Sequence, residues 1–117
     1  MEFHQHKPIY LQICDRINEL ILSDVLKAEE RIQSVRELGI ELGVNPNTVV
    51  RSYEYLQNKG IIFNKRGIGY FISKDAKELI LKEQKEDFIE NEIPKFFKKM
   101  KLYNIDIDDI VNIYRKE

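Results

Sequence analysis

The stretch Ser34 to Gly60, SVRELGIELGVNPNTVVRSYEYLQNKG, constrains the fold more than any other part of the chain, because it writes two helix starts and two helix stops in succession. Ser34-Val35-Arg36-Glu37 has the S-x-x-E spacing of a capping box, in which the hydroxyl and the carboxylate each take a backbone N–H that would otherwise be orphaned. A helix is therefore predicted from Val35. Val35, Leu38 and Leu42 recur at helical spacing with Glu37 and Glu41 outside the stripe, and Gly43 follows where a left-handed residue closes a helix cheaply. Asn45 is a favoured N-cap and Pro46 a favoured first residue; Val49, Tyr53 and Leu56 then give a second apolar stripe, which Gly60 ends. Only Gly43, Val44 and Asn45 separate the two helices, the short connection of a helix-turn-helix.

The second helix shows solvent a polar first turn. Asn45, Asn47 and Thr48 are small donors and acceptors of a size suited to base edges or phosphate oxygens, and Arg51 follows one turn later. Taken singly, each has a plainer reading as a cap or a solvated charge; the capped pair, the turn and the polar turn together do not. Beyond Gly60, Ile61-Ile62-Phe63 and Gly69-Tyr70-Phe71-Ile72 are β-prone runs on either side of Asn64 to Ile68, which predicts a hairpin with Lys65, Arg66 and Gly67 at its tip.

Four separated motifs then agree in order and spacing with one family. Pro8-Ile9-Tyr10-Leu11-Gln12-Ile13, Ser34-Val35-Arg36-Glu37-Leu38, Leu42-Gly43-Val44-Asn45-Pro46-Asn47-Thr48-Val49 and Arg66-Gly67-Ile68-Gly69-Tyr70-Phe71 are similar to the winged helix-turn-helix of GntR-family transcription regulators. The short remainder resembles the YtrA-like subfamily, whose C-terminal part is a helical dimerisation module and not a ligand-binding domain. The resemblance implies a repressor that binds an inverted-repeat operator in double-stranded DNA as a homodimer. It assigns Arg36 to phosphate or base edge, Asn45, Asn47, Thr48 and Arg51 to the major groove, and Arg66 and Gly67 to the minor groove, with Ser34, Pro46 and Lys65 counted among the DNA-binding residues beside them. This chain departs from the family where Ser23 and Gln33 stand in place of Gly and Pro, and where Val50 replaces a frequent Arg, moving the charge to Arg51.

Charge by segment fits such a partner. The whole chain carries −1, yet residues 31–74 hold seven Lys/Arg against three Asp/Glu, while residues 1–30 hold three against six and residues 75–117 nine against eleven. The positive excess of +4 thus falls on the helix-turn-helix and hairpin. The alternative is a winged helix that binds protein and has lost affinity for DNA; Arg36, Arg51, Lys65 and Arg66 argue against it.

Upstream, residues 1–7 lack periodicity and are expected to be mobile, at least at their start. Pro8 opens a helix whose core stripe is Ile9, Ile13, Ile17, Leu20 and Ile21, bordered by Cys14, with Gln12, Asp15, Arg16 and Glu19 facing out. Residues 23–31 read as a charged connection. Downstream, Asp75 starts a long amphipathic segment that Pro94 should kink or split, and Asp106 caps a last helix. Phe88, Ile89, Ile93, Phe96, Phe97, Met100, Ile110 and Tyr114 form an apolar face too small to enclose its own core, so its expected partner is a second copy.

The expected architecture is therefore mainly α with a small β-hairpin: a winged helix-turn-helix over residues 8–74 and a helical dimerisation module over residues 75–117. Nothing points to catalysis, since no nucleophile and base or carboxylate dyad is recognisable. The Asn-Pro-Asn-Thr-Val stretch also occurs in regulators fused to a pyridoxal-phosphate domain, but this chain has no room for one, and no cofactor is expected. His4 and His6 fall short of a metal-ligand set. A lone Cys14, no basic-apolar leader and no run of about 18 apolar residues lead to an expectation of a cytoplasmic protein with no membrane partner. No constellation defines a small-molecule effector site.

Overall fold

A computed structural model describes residues 1–117. Six α-helices and one hairpin follow in order: α1 (Ile9–Leu22), α2 (Val35–Leu42), α3 (Pro46–Asn58), β1 (Ile62–Lys65), β2 (Gly69–Ile72), α4 (Ala76–Asp87), α5 (Ile93–Leu102) and α6 (Ile107–Lys116), with a π-helical turn, Phe88–Glu92, between α4 and α5. The chain divides into two compact units, Met1–Leu81 and Lys82–Glu117. The break between them falls inside α4, whose Ala76 and Ile80 are buried in the core of the first unit.

In the first unit α1 and α2 both pack on α3. Ile13, Cys14, Ile17 and Ile21 line the inner face of α1, and Val49, Tyr53 and Leu56 the inner face of α3, the last two at 1% exposure or less. Burying one side chain the size of Leu56 contributes roughly 1.5–3 kcal/mol, so this seam is a main source of the unit's stability. Two polar contacts fix its register. The Ser52 hydroxyl, fully buried, donates to the Tyr10 carbonyl at 2.7 Å with a longer 3.2 Å approach to the Thr48 carbonyl, and the Cys14 thiol donates to the Ser52 carbonyl at 3.4 Å.

Gln12 differs from its expected outward place. It is 4% exposed, and its amide is satisfied by backbone: Nε2 donates to the His4 and Lys7 carbonyls at 2.7 Å each, and Oε1 accepts from the His4 N–H at 3.0 Å. A buried amide with partners costs little, and here it ties down residues 4–7, which sequence patterning had left without structure.

The hairpin pairs Ile62 with Ile72, Phe63 with Phe71, Asn64 with Tyr70 and Lys65 with Gly69. The odd and even positions face opposite ways. Ile62 and Ile72 point into the core, and Phe63 and Phe71 stack on the other face with ring centroids 5.8 Å apart. The far edge of β2 is also used. Glu29 N–H donates to the Ile72 carbonyl, Ile72 N–H to the Glu30 carbonyl and Ile32 N–H to the Tyr70 carbonyl, all within 2.9 Å, so part of the expected charged connection lies as a third strand-like edge. Asp24 turns the chain after α1 with φ +63, a left-handed conformation that aspartate tolerates better than most residues. Its carboxylate takes the Lys77 ammonium at 3.1 Å.

In the second unit Pro94 occupies the first turn of α5, and the turn before it widens so that the Ile93 N–H bonds the Phe88 carbonyl five residues back. A proline ring crowds the carbonyl four residues earlier; the wider turn relieves that contact, so that a π-helical turn stands where a kink or a split was expected. Asp106 caps α6 with Asp109 in a capping box, and Arg115 and Lys116 close its last turn. Apolar side chains remain open on these helices: Phe88 is 54% exposed and Tyr114 80%. Met100 is the exception among the residues expected on that open face. At 7% exposure it is already covered by the chain itself, and Ile93 is half-buried.

Candidate nucleic-acid interface

The helix-turn-helix is built from its caps outward. Ser34 Oγ accepts the Glu37 N–H at 3.1 Å and Glu37 Oε1 accepts the Ser34 N–H at 3.1 Å, closing the capping box. The Ser34 backbone N–H, and then the Ser34 side chain, hold the Glu37 carboxyl below its ordinary value. At the other end Gly43 is left-handed at φ +68, and the chain folds back so tightly that a Cβ on Gly39 would lie 3.1 Å from the Val44 carbonyl oxygen and 3.4 Å from the Pro46 Cα. Gly39 is thus what lets the turn lie on α2. Its signal in the sequence, a glycine inside a good helical pattern, was open to reading and went unused.

Asn45 caps α3 by accepting the Asn47 N–H on Oδ1 at 2.8 Å, which leaves its amide Nδ2 as a donor. Asn45, Pro46, Asn47 and Arg51 are exposed, while Thr48 is half-buried. Arg36 is exposed on the first turn of α2. Tyr53, on the inner face of α3, donates its hydroxyl to the Gln33 carbonyl at 2.7 Å and meets Tyr70 of β2 edge to face at 4.9 Å. Burial, and then the neighbouring Tyr70, push this phenol up. One buried side chain thereby joins the residue before the Ser34 cap, the exposed helix and the wing.

Arg51 is held and not loose. Its guanidinium carbon lies 4.0 Å from the centroid of the Tyr10 ring, Tyr10 meets Tyr55 edge to face at 6.2 Å, and the Lys59 ammonium lies 4.9 Å from the Tyr55 centroid. A cation, two rings and a cation therefore run along the outer seam of α1 and α3.

On the hairpin Lys65 is not at the tip, as had been expected, but is the last residue of β1. Its ammonium lies 4.5 Å from the Phe71 centroid and 5.8 Å from that of Phe63, so it covers the outer aromatic pair. Arg66, Gly67 and Ile68 make the turn, closed by the Ile68 N–H to the Lys65 carbonyl at 2.9 Å. Gly67 and Gly69 have φ of +80 and +143, conformations in which a side chain would be strained.

Arg31 is a cation that sequence patterning missed. It lies opposite Phe71, and its Nε would sit 3.0 Å from a Cβ on Gly69, so the glycine leaves the space the guanidinium fills. The segment that carries it is too short and too charged to signal pairing, although Gly69 marked a close approach.

All ten candidate contact residues lie in the unit Met1–Leu81, at the starts of α2 and α3 and at the end of the hairpin. His4 and His6 have ring centroids 6.0 Å apart, and no group of three His, Cys, Asp or Glu side chains that could hold a metal ion is present. Burial pushes the Cys14 thiol up to about 11, so it is no nucleophile at neutral pH. No helix is long and apolar enough to cross a membrane.

Comparison with known proteins agrees with this geometry. The family model described as "Bacterial regulatory proteins, gntR family" matches residues 9–72. The chain is 38% identical over 100 residues to HTH-type transcriptional regulator YhcF of Bacillus subtilis (strain 168), covering 86% of this chain and 81% of that one. It is 42% identical over 74 residues to HTH-type transcriptional repressor YtrA of the same organism, covering 63% of this chain and 57% of that one. Among solved structures, a GntR family transcriptional regulator from Listeria monocytogenes superposes with a TM-score of 0.76 at 32% identity, over 98% of this chain and 99% of that one.

Proposed function

The chain belongs to the GntR family of bacterial transcriptional regulators and carries that family's DNA-binding winged helix; from this premise we propose that it is a repressor that binds an inverted-repeat operator in double-stranded DNA as a homodimer. It is not an enzyme. Asn45, Asn47, Thr48 and Arg51 enter the major groove on the exposed face of α3, with Pro46 setting the start of that helix. Ser34 and Arg36 meet the adjacent backbone. Lys65, Arg66 and Gly67 of the wing meet the minor groove.

The observation that carries this reading is the division of α3 into two faces. Val49, Ser52, Tyr53 and Leu56 are buried, while Asn45, Asn47 and Arg51 stay in solvent beside the turn. Repression is supported by the name of the YtrA relative. Pairing is supported by exposed Phe88, Ile89, Phe96, Phe97 and Tyr114, with half-buried Ile93 and Ile110 beside them. Met100 contributes from beneath that face and not on it. Two copies related by a two-fold axis then present two α3 helices to two half-sites. The positive excess on one copy is modest, so pairing supplies much of the affinity. Its site of action is the cytoplasm, where the operator lies.

A shift assay on random duplex, run at rising salt with the full chain, tests this. A linear fall of log affinity with log salt marks phosphate contacts. A flat response, or no binding at low salt, would hand the winged helix to a protein partner instead.

A further inference from the structure

The hairpin turn carries one side chain that neither the fold nor the phosphate contacts use. Ile68 is 56% exposed, although β-branched apolar residues are normally drawn into a core. Its backbone is committed by the bond from its N–H to the Lys65 carbonyl, and it stands between Gly67 at φ +80 and Gly69 at φ +143. A Cβ on Gly67 would meet nothing within 4 Å. The tip is therefore thin, preceded by the Arg66 cation, and ends in a stiff apolar side chain with two rotatable bonds.

The floor of a DNA minor groove differs between base pairs in one respect that matters to such a side chain. A·T and T·A offer only acceptors, whereas G·C adds the guanine N2 amino group as a donor. Isoleucine has no acceptor. Seated on A·T it makes only van der Waals contact; seated on G·C it strips water from a donor and returns nothing, and it also meets the bulk of the amino group. A·T-rich stretches are narrower too, which favours the Arg66 cation beside it.

We propose that Ile68 is a specificity-determining residue that reads the minor groove for the absence of the guanine N2 amino group and so favours A·T pairs beneath the wing. This rests on the reading of the chain as a DNA-binding regulator. Arg66 responds to the width and potential of the groove, and Ile68 to the amino group on its floor.

The test separates the grooves chemically. A site is selected from a random duplex pool with the full chain, and each A·T pair is replaced in turn by G·C, by inosine·C, which lacks the N2 amino group, and by 2,6-diaminopurine·T, which adds it. At one or more positions per half-site, G·C and diaminopurine·T should each weaken binding on the order of tenfold, while inosine·C should not. In Ile68→Ser, whose hydroxyl can accept from the amino group, that discrimination should disappear with the thermal midpoint unchanged. Inosine·C behaving like G·C everywhere, or discrimination surviving in Ile68→Ser, overturns the proposal while leaving DNA binding intact. Failure of the wild-type chain to bind any duplex in dilute buffer overturns both readings.

Discussion

Single side chains decide how firmly the exposed helix is held. Tyr53→Phe keeps the ring against Tyr70 but removes the donor to the Gln33 carbonyl, and should lower unfolding free energy by about 1 kcal/mol, read from urea denaturation. Arg51→Ala has two effects that different measurements separate. Loss of the stack on Tyr10 should cost about 0.5–1 kcal/mol of stability at this exposed site. Loss of a base contact should cost roughly 1–3 kcal/mol on the selected operator and relax preference at one base pair per half-site. If binding falls only as much as stability does, Arg51 is part of the seam and reads no base. Cys14, 2% exposed and with its thiol pushed up to about 11, should react at pH 8 roughly a hundredfold or more slowly than a free thiol, and at an ordinary rate once denatured.

At the scale of the element, the capping box on α2 has a pH signature. The Glu37 carboxyl is held low in the folded chain, so its contribution is fully present above the ordinary glutamate value and is lost as pH falls through the depressed one. The stability gap between the wild type and Glu37→Gln should therefore be constant from pH 7 to about pH 5 and close toward pH 3. Ser34→Ala removes the hydroxyl that accepts the Glu37 N–H, leaving the Ser34 backbone N–H to Glu37 bond in place, and should cost about 0.5–2 kcal/mol at neutral pH. These helices were legible because caps and stripes are local: the bounds of α2 and the length of the turn follow from Ser34, Gly43 and Asn45 alone. What was not legible depends on partners far along the chain. Asn64 and Lys65 have weak strand preference yet extend β1, because Tyr70 and Gly69 stand opposite. Residues 29–32 pair with β2 despite their charge, and Gln12 turns inward because backbone carbonyls eight and five residues back receive it. The wing and the exposed turn of α3 were readable as positions; the ring that holds Arg51 and the place of Arg31 were not.

At the scale of the whole molecule, the break between the units lies at Leu81, and a truncation should respect it. A chain ending at Leu81 keeps Ala76 and Ile80 in the core and should remain folded, sediment as a monomer and bind the operator far more weakly than the full chain. One that stops at Lys74 loses both side chains and should melt earlier, by several degrees or more. Persistence of a dimer in the Leu81 truncation would move the pairing face into the first unit. The widened turn ahead of Pro94 also sets a phase. A helical residue advances the azimuth by about 100°, so removing one residue from Phe88–Glu92 would spin Phe96 and Phe97 about the axis while moving them along it by only about 1.5 Å. Regulators with the same pairing side chains but no such widening would then meet their copies with a different facet, and mixed dimers would be disfavoured by geometry alone.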